Sequence, residues 1–411
     1  MFFKQPIAAF AICVFLLSGC VTNTHKTGSP TVGPGFSSSF FKTEVEDKGV
    51  EKPKLDVVIP VFDPGLPENP DDYEKEGIWP ELRRAEANRF AFKLKQAMDA
   101  TGSFGAIRIT PDESATGDLY ILGTIEQSNG EEVEIDLTVI DISGDEWLNA
   151  SFEHEVKEAF HNNLRNDGQD AYDPVFELAA NKIADELKYH GAKELEDLQY
   201  LANMRFGASF SEQAFKPYFR VAGNKVELVR KMSEDDPMYR RVMAIRTRDQ
   251  MFVDSLQTNY VHFSEQMNES YLVWQEQSLI ELKAAREARL DSIGEAVGGA
   301  LLVGLAIFAA VEGSDSDNSG TQSIATTGAI LSGMAGAKLL QDSFKTNEEV
   351  KVHRDALNEL GKSVDMELAS QVIEFEKETV KLNGDARQQF MQWREFLKKI
   401  YAQESTPDVI L

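Results

Sequence analysis

Between Pro237 and Pro407 the chain contains no proline. Over the first part of that interval apolar residues return every three or four positions: Met238, Val242, Ile245, Phe252, Leu256, Tyr260, Phe263, Met267, Tyr271 and Trp274. A proline-free stretch with this period, and polar residues between, is the pattern of a long amphipathic helix. Leu357, Leu360, Val364, Leu368, Val372 and Phe375 carry the same rhythm on the far side, and Phe390, Trp393, Leu397 and Ile400 extend it. Stripes this narrow do not stabilise isolated helices, so residues 237–403 are expected to pack antiparallel as a coiled-coil-like helical hairpin. A first arm from residue 237 to 311 would span on the order of 110 Å at 1.5 Å per residue.

The composition changes at the expected tip, residues 293–340. Ile293 to Val311 carries a single charge, Glu295, and Ser323 to Leu340 a single charge, Lys338. Gly294, Gly298, Ala306 and Ala310 fall on one four-residue row interrupted by Leu302, and Ala325, Ala329, Gly333 and Ala337 make an unbroken row. Rows of small side chains let helix backbones approach closely, and the pair resembles the glycine-zipper hairpins of envelope proteins. Two readings stay open: a tip inserted in a bilayer, and a soluble tip packed on itself or buried in a homo-oligomer. The intervening loop carries Asp315 and Asp317 and no Lys or Arg, which argues against passage through the inner membrane.

At the other end, Lys4 precedes an apolar run from Ile7 to Leu17, the length of a signal-peptide core rather than of a membrane-spanning helix. The run closes in Leu17-Ser18-Gly19-Cys20, which resembles the lipobox of bacterial lipoproteins. The resemblance implies removal of residues 1–19 and acylation of Cys20, so that lipid is the first partner of the mature chain. Val21, where inner-membrane retention would call for Asp, implies sorting to the outer membrane, facing the periplasm. Cys13 leaves with the signal and Cys20 is consumed, so disulfides, thiolate metal sites and cysteine nucleophiles are excluded. Residues 20–50, rich in Thr, Ser, Gly and Pro, read as a tether.

Residues 51–190 predict an α/β domain. A β-branched run lies at Leu55–Phe62, and a helix opens at Pro80 and stops before Gly102. Strands are expected near residues 104–109, 118–126, 133–142 and 147, with Asn129-Gly130 as a hairpin turn, and a second helix starts at Asp173-Pro174. The order is β-α-β-β-β-β-α, so the fold class is α+β. Val57-Val58-Ile59-Pro60-Val61-Phe62, Gly102-x-Phe104, Gly117-Asp118-Leu119-Tyr120-Ile121-Leu122-Gly123-Thr124-Ile125 and Leu137-x-Val139-x-Asp141-x-x-Gly144 resemble the α/β domain of curli-secretion channel lipoproteins and penicillin-binding-protein activator lipoproteins. That resemblance implies a periplasmic docking domain without a catalytic centre. Residues 191–236 read as a mixed helical and loop connection, and residues 404–411 as a tail.

Chemistry is sparse. Asp and Glu number 68 against 42 Lys and Arg, a net charge of −26, which excludes a nucleic-acid partner bound through its phosphates. Asp315-Ser316-Asp317-Asn318-Ser319-Gly320 begins like a calcium loop but has Thr326 where the bidentate Glu belongs. His154 and His161 read as exposed, and the acidic run at Asp71-Asp72 as a solvated loop. No phosphate loop, His-Glu-x-x-His helix or Gly-x-Ser-x-Gly elbow occurs, so no catalytic residue, metal or cofactor is expected. The expectation is a non-enzymatic, lipid-anchored envelope scaffold or assembly and secretion accessory, with an unidentified periplasmic protein partner and self-association. An activator lipoprotein stimulating a peptidoglycan synthase and a membrane-permeabilising oligomer are the alternatives.

Overall fold

The computed structural model describes residues 52–73, 78–157, 159–295, 348–375 and 378–404. Strand β1, Val57–Pro60, is short and apolar and is buried on both faces, as a central strand requires. Helix α1, Pro80–Thr101, starts with proline in its first turn, where a missing N–H costs nothing, and stops at Gly102. Then come β2, Ile107–Thr110, β3, Leu119–Ser128, β4, Glu132–Asp141, β5, Glu146–Glu155, and α2, Asp173–Glu186. The order is the β-α-β-β-β-β-α expected, and the class is α+β.

These strands form one sheet in the order β2-β1-β3-β4-β5, with β1 parallel to both neighbours and β3, β4 and β5 antiparallel. Strict alternation sorts the two faces. Val133, Ile135, Leu137 and Val139 of β4, with Leu119, Ile121 and Ile125 of β3, are at most 1% exposed and join one core with α1 and α2. On the opposite face Glu132 and Asp136 of β4 and Asn149, Ser151, Glu153 and Glu155 of β5 are open to solvent.

The connection after α2 holds helix α3, Ala192–Phe210, and a two-stranded ribbon, β6, Phe219–Ala222, with β7, Lys225–Leu228. Helix α4, Pro237–Glu295, has 59 residues, so it is about 88 Å long. The return side consists of α5, Glu348–Leu360, a hairpin of β8, Gln371–Phe375, with β9, Glu378–Leu382, and α6, Ala386–Glu404. It runs antiparallel to α4: His353 meets Ser270 at 3.1 Å, and Arg394 meets Asp249 at 3.3 Å. The expected stripe is the buried one, with Val242, Leu256, Met267, Tyr271, Phe390 and Leu397 at 0% exposure.

Two readings of the helical region change. The rhythm through Val364, Leu368, Val372 and Phe375 is not one helix. A four-residue spacing satisfies a helical period and a strand period alike, and residues 371–375 and 378–382 adopt the strand, leaving Val372 62% exposed. Helix α5 ends at Leu360, and the residue that follows must be glycine because a side chain there would overlap Glu81: a Cβ on Gly361 would lie 1.7 Å from its carbonyl oxygen. Moreover, α4 does not stand away from the α/β portion as a free arm. It lies along α1 and β2, and the described residues belong to one compact unit. The boundary expected between residues 190 and 237 falls inside that unit. Gly298, Ala306, Ala310, Ala325, Ala329, Gly333 and Ala337 of the tip, the calcium-like loop at Asp315, and Cys20 lie outside the described residues; Gly294 falls in the last turn of α4.

Candidate functional site

Four polar residues of α1, Arg83, Glu86, Asn88 and Arg89, are 5% exposed or less. Burying them is tolerable only if each finds partners, and the partners come from α4, from β3 and its turn into β4, from the approach to α2 and, for Asn88, from the Val364 carbonyl after α5. The Arg89 guanidinium, 0% exposed, donates through Nη2 to Asp170 Oδ2 at 2.7 Å and to Asn268 Oδ1 at 2.9 Å. It also lies 4.6 Å from the centre of the Tyr271 ring. Asp170 Oδ1 accepts from Gln275 Nε2 at 2.7 Å and from the Tyr172 N–H at 3.0 Å, so both carboxylate oxygens are used. Burial works to raise the Asp170 pKa, but Arg89, Lys93 and these donors outweigh it and hold the carboxyl below its usual range. Residues from α1, the chain before α2, and α4 thus close one dry ion pair.

One helical turn earlier on α1 sits Glu86, fully buried. Its Oε1 accepts from Ser128 Oγ at 2.5 Å and from Tyr271 OH at 2.8 Å. Its Oε2 has no hydrogen-bond partner and lies 3.9 Å from Arg83 Nε, whose guanidinium is drawn off to the Ile125 carbonyl. Burial pushes the Glu86 carboxyl up to about 7 against the pull of Arg83 and the two hydroxyls. The neighbouring turn packs on α4 so closely that Gly130, at φ +91°, would place a Cβ 2.3 Å from the Ser278 Cβ. Tyr172 seals the spot, accepting from the Gly130 N–H at 2.6 Å.

A second junction lies at the other end of the sheet. Arg108 of β2 bonds Asp254 at 2.6 Å and Asp56 at 3.2 Å, and Asp118 Oδ2 accepts from the Asp56 N–H at 2.8 Å. Arg246 approaches Asp118 Oδ1 at 3.8 Å, and burial pushes the Asp118 carboxyl up to about 6. Beside it, Gln257 of α4 accepts from the Ile109 N–H at 2.9 Å and donates to the Ile109 carbonyl at 2.8 Å. The side-chain amide takes the place of a neighbouring strand along the outer edge of β2.

Chemically, these clusters are locks. Apart from Glu86 Oε2, Asp118 Oδ1 and Arg246 Nε, which have no hydrogen-bond partner, their polar groups bond one another across the junction, so the arrangement fixes α4 on the α/β layer. A groove of about 370 Å³ between α1 and α2, lined by Lys93, Gln96, Thr101, Asp173, Phe176 and Asn181, borders the first lock at Lys93 and Asp173. Among the described residues no His, Cys, Asp and Glu cluster suits a metal, and no helix is long and apolar enough to cross a membrane.

The residues singled out in the sequence are not brought together. His154 lies on the inward face of β5, half-buried rather than exposed, opposite Val133; burial lowers its pKa. His161, in the loop that follows, is also half-buried, with its Nε2 unpartnered. Asp71 and Asp72 belong to one short turn capped by Asn69. The residues of the lock, Glu86, Arg89, Asp170, Tyr271 and Gln275, carry no motif. Their only signal is that Glu86 and Arg89 interleave with Ala85, Phe90 and Leu94 where a helix should be apolar. No protein-family model, no curated protein and no solved structure matches this chain.

Proposed function

We propose that this chain is a non-enzymatic, lipid-anchored scaffold of the bacterial envelope. Acyl chains on Cys20 hold it to the outer membrane, residues 21–50 tether it, and the body beginning at residue 52 presents the α/β layer to a periplasmic protein partner. Three supports converge: the lipobox, the resemblance of the first strands to docking domains of envelope lipoproteins, and the fixing of α4 on that layer. The observation that carries the reading is the Arg89–Asp170 lock, buried at 0% and 2% side-chain exposure. Sealed ionic contacts of this kind make α4 a strut held rigidly against the layer that carries the docking surface. Self-association through the rows Gly294 to Ala310 and Ala325 to Ala337 belongs to the same proposal.

Two measurements test it. Metabolic labelling with a radioactive fatty acid should mark the wild-type chain and not Cys20→Ala, which should leave the membrane fraction; labelling of both would overturn the anchor. Ala329→Leu with Gly333→Leu should reduce the mass of the detergent-solubilised assembly, and an unchanged mass would overturn the role of the tip.

A further inference from the structure

The two edges of the five-stranded sheet are treated differently. The β2 edge is closed by Gln257 of α4. The β5 edge is ten residues long, and among the described residues the stretch from Trp147 to Glu155 makes no backbone hydrogen bond outside its ladder with β4. An uncovered strand of this length is a template for another strand, and it usually carries a proline or lysine that discourages pairing. Here β5 has neither.

The phase of the ladder identifies the free groups. Val156 donates to the Glu131 carbonyl, which makes 156 and 131 a hydrogen-bonded pair. Antiparallel pairs alternate, so 154, 152, 150 and 148 also bond to β4, while Asn149, Ser151, Glu153 and Glu155 turn N–H and C=O outward. Those same four residues point their side chains to the open face of the sheet. There Glu153 stands directly opposite Glu134, and Glu155 opposite Glu132, with Asp136 beside them. Carboxylates facing each other across strands destabilise the pair. None of the thirty residues of β3, β4 and β5 is Lys or Arg.

We infer that the β5 edge is a docking site for an extended, basic segment of another protein, which adds as a sixth strand with Lys or Arg above Glu153 and Glu155 and apolar side chains on the other face. Main-chain hydrogen bonds to residues 149, 151, 153 and 155 supply the affinity, and the carboxylates supply the sign. Alternation places the segment's apolar residues beside half-buried Leu148, Ala150 and His154 on the inward face. The charge selects this occupant over a second copy of the chain, whose β5 would bring Glu against Glu. The inference rests on the scaffold reading only in naming how the α/β layer takes its partner. Loss of fatty-acid labelling would leave the edge untouched, and failure at the edge would leave the anchor untouched.

The test uses the full chain in detergent and a fluorescein-labelled peptide, Thr-Lys-Val-Lys-Val-Lys-Val-Thr, followed by anisotropy beside its Glu-for-Lys counterpart. The Lys peptide should bind, more weakly as salt rises, and the Glu peptide should not. Ser151→Pro removes an outward N–H without touching the β4 ladder and should weaken binding about tenfold, the worth of one or two hydrogen bonds. Should that variant fail to fold, Glu134→Lys with Glu153→Lys, which alters only side chains on the open face, should transfer preference to the Glu peptide. No binding of the Lys peptide, equal binding by a folded Ser151→Pro chain, or unchanged preference in the doubly reversed chain would overturn the inference. So would a dimer of the wild-type chain that Ser151→Pro splits, because a second copy would then own the edge.

Discussion

The edges of this sheet face opposite fates. At β2 the outward N–H and C=O of Ile109 are satisfied by one side chain, Gln257, and flanked by an ion pair to Asp254, so the strand ends against α4. At β5 four residues keep their outward groups for solvent or a visitor, beneath a face of carboxylates. Backbone satisfaction by an amide side chain consumes an edge, whereas like charge leaves it free while discouraging self-pairing. The covered edge therefore contributes to the stability of the body, whereas the open edge contributes little to it. Perturbing the covered side should cost folding energy, and perturbing the open side should cost little.

The largest effect should come from the lock that presses α4 against the covered side. Arg89→Ala leaves Asp170 buried with Lys93 as its remaining cation and should cost about 3–5 kcal/mol in urea unfolding. Retention of stability to within about 1 kcal/mol would show that water or rearrangement replaces the pair.

Next comes pH. The folded pKa of Glu86, about 7, lies above its ordinary 4.5, so the folded chain keeps a proton that the unfolded chain releases. Stability is therefore highest below the ordinary value and falls as pH rises from there to about 7, by up to about 3 kcal/mol. Asp118, raised from 3.8 to about 6, acts in the same direction. Asp170, held low, acts in the opposite one, losing its contribution as pH falls through the acid range. Glu86→Gln, which imitates the protonated carboxyl, should raise Tm near pH 8 and flatten the slope between about pH 5 and 7. A slope unchanged by the substitution would show that Glu86 does not govern this pH dependence.

Gln257→Ala tests the covered edge itself. It strands the Ile109 N–H and C=O and should cost about 1–3 kcal/mol, with faster amide exchange confined to β2 and the facing turns of α4. The smallest effect belongs to the open edge. Glu153→Lys turns the Glu134 opposition into attraction and should stabilise by about 0.2–1 kcal/mol, read as a small rise in the urea midpoint.

The α/β portion was legible in the sequence because each of its signals is local: Asn129-Gly130 for the hairpin, Pro80 for the helix start, and odd-numbered apolar residues from Val133 to Val139 for a one-sided strand. The ribbon β6–β7 had a comparable signal in Gly223-Asn224 between Val221 and Val226. The return side misleads because residues four apart share a face in a strand as well as in a helix. There the β-branched pairs Val372-Ile373 and Thr379-Val380 were the better guide. The lock was hidden for a different reason. A charge on a helix ordinarily marks its wet face, and only the partner elements, 81 residues away at Asp170 and 179 at Asn268, turn the Arg89 position dry. No local pattern encodes a contact of that range.

α4 and the α/β layer should behave as one cooperative body held together by buried polar locks. Native-state hydrogen exchange tests it most directly. Amides of α4 from residue 242 to 279 and those of β1, β3 and β4 should open with the same free energy and respond together to denaturant. If α4 exchanges through a separate, lower-energy opening while the sheet stays protected, the helix is an appendage and not part of one cooperative body.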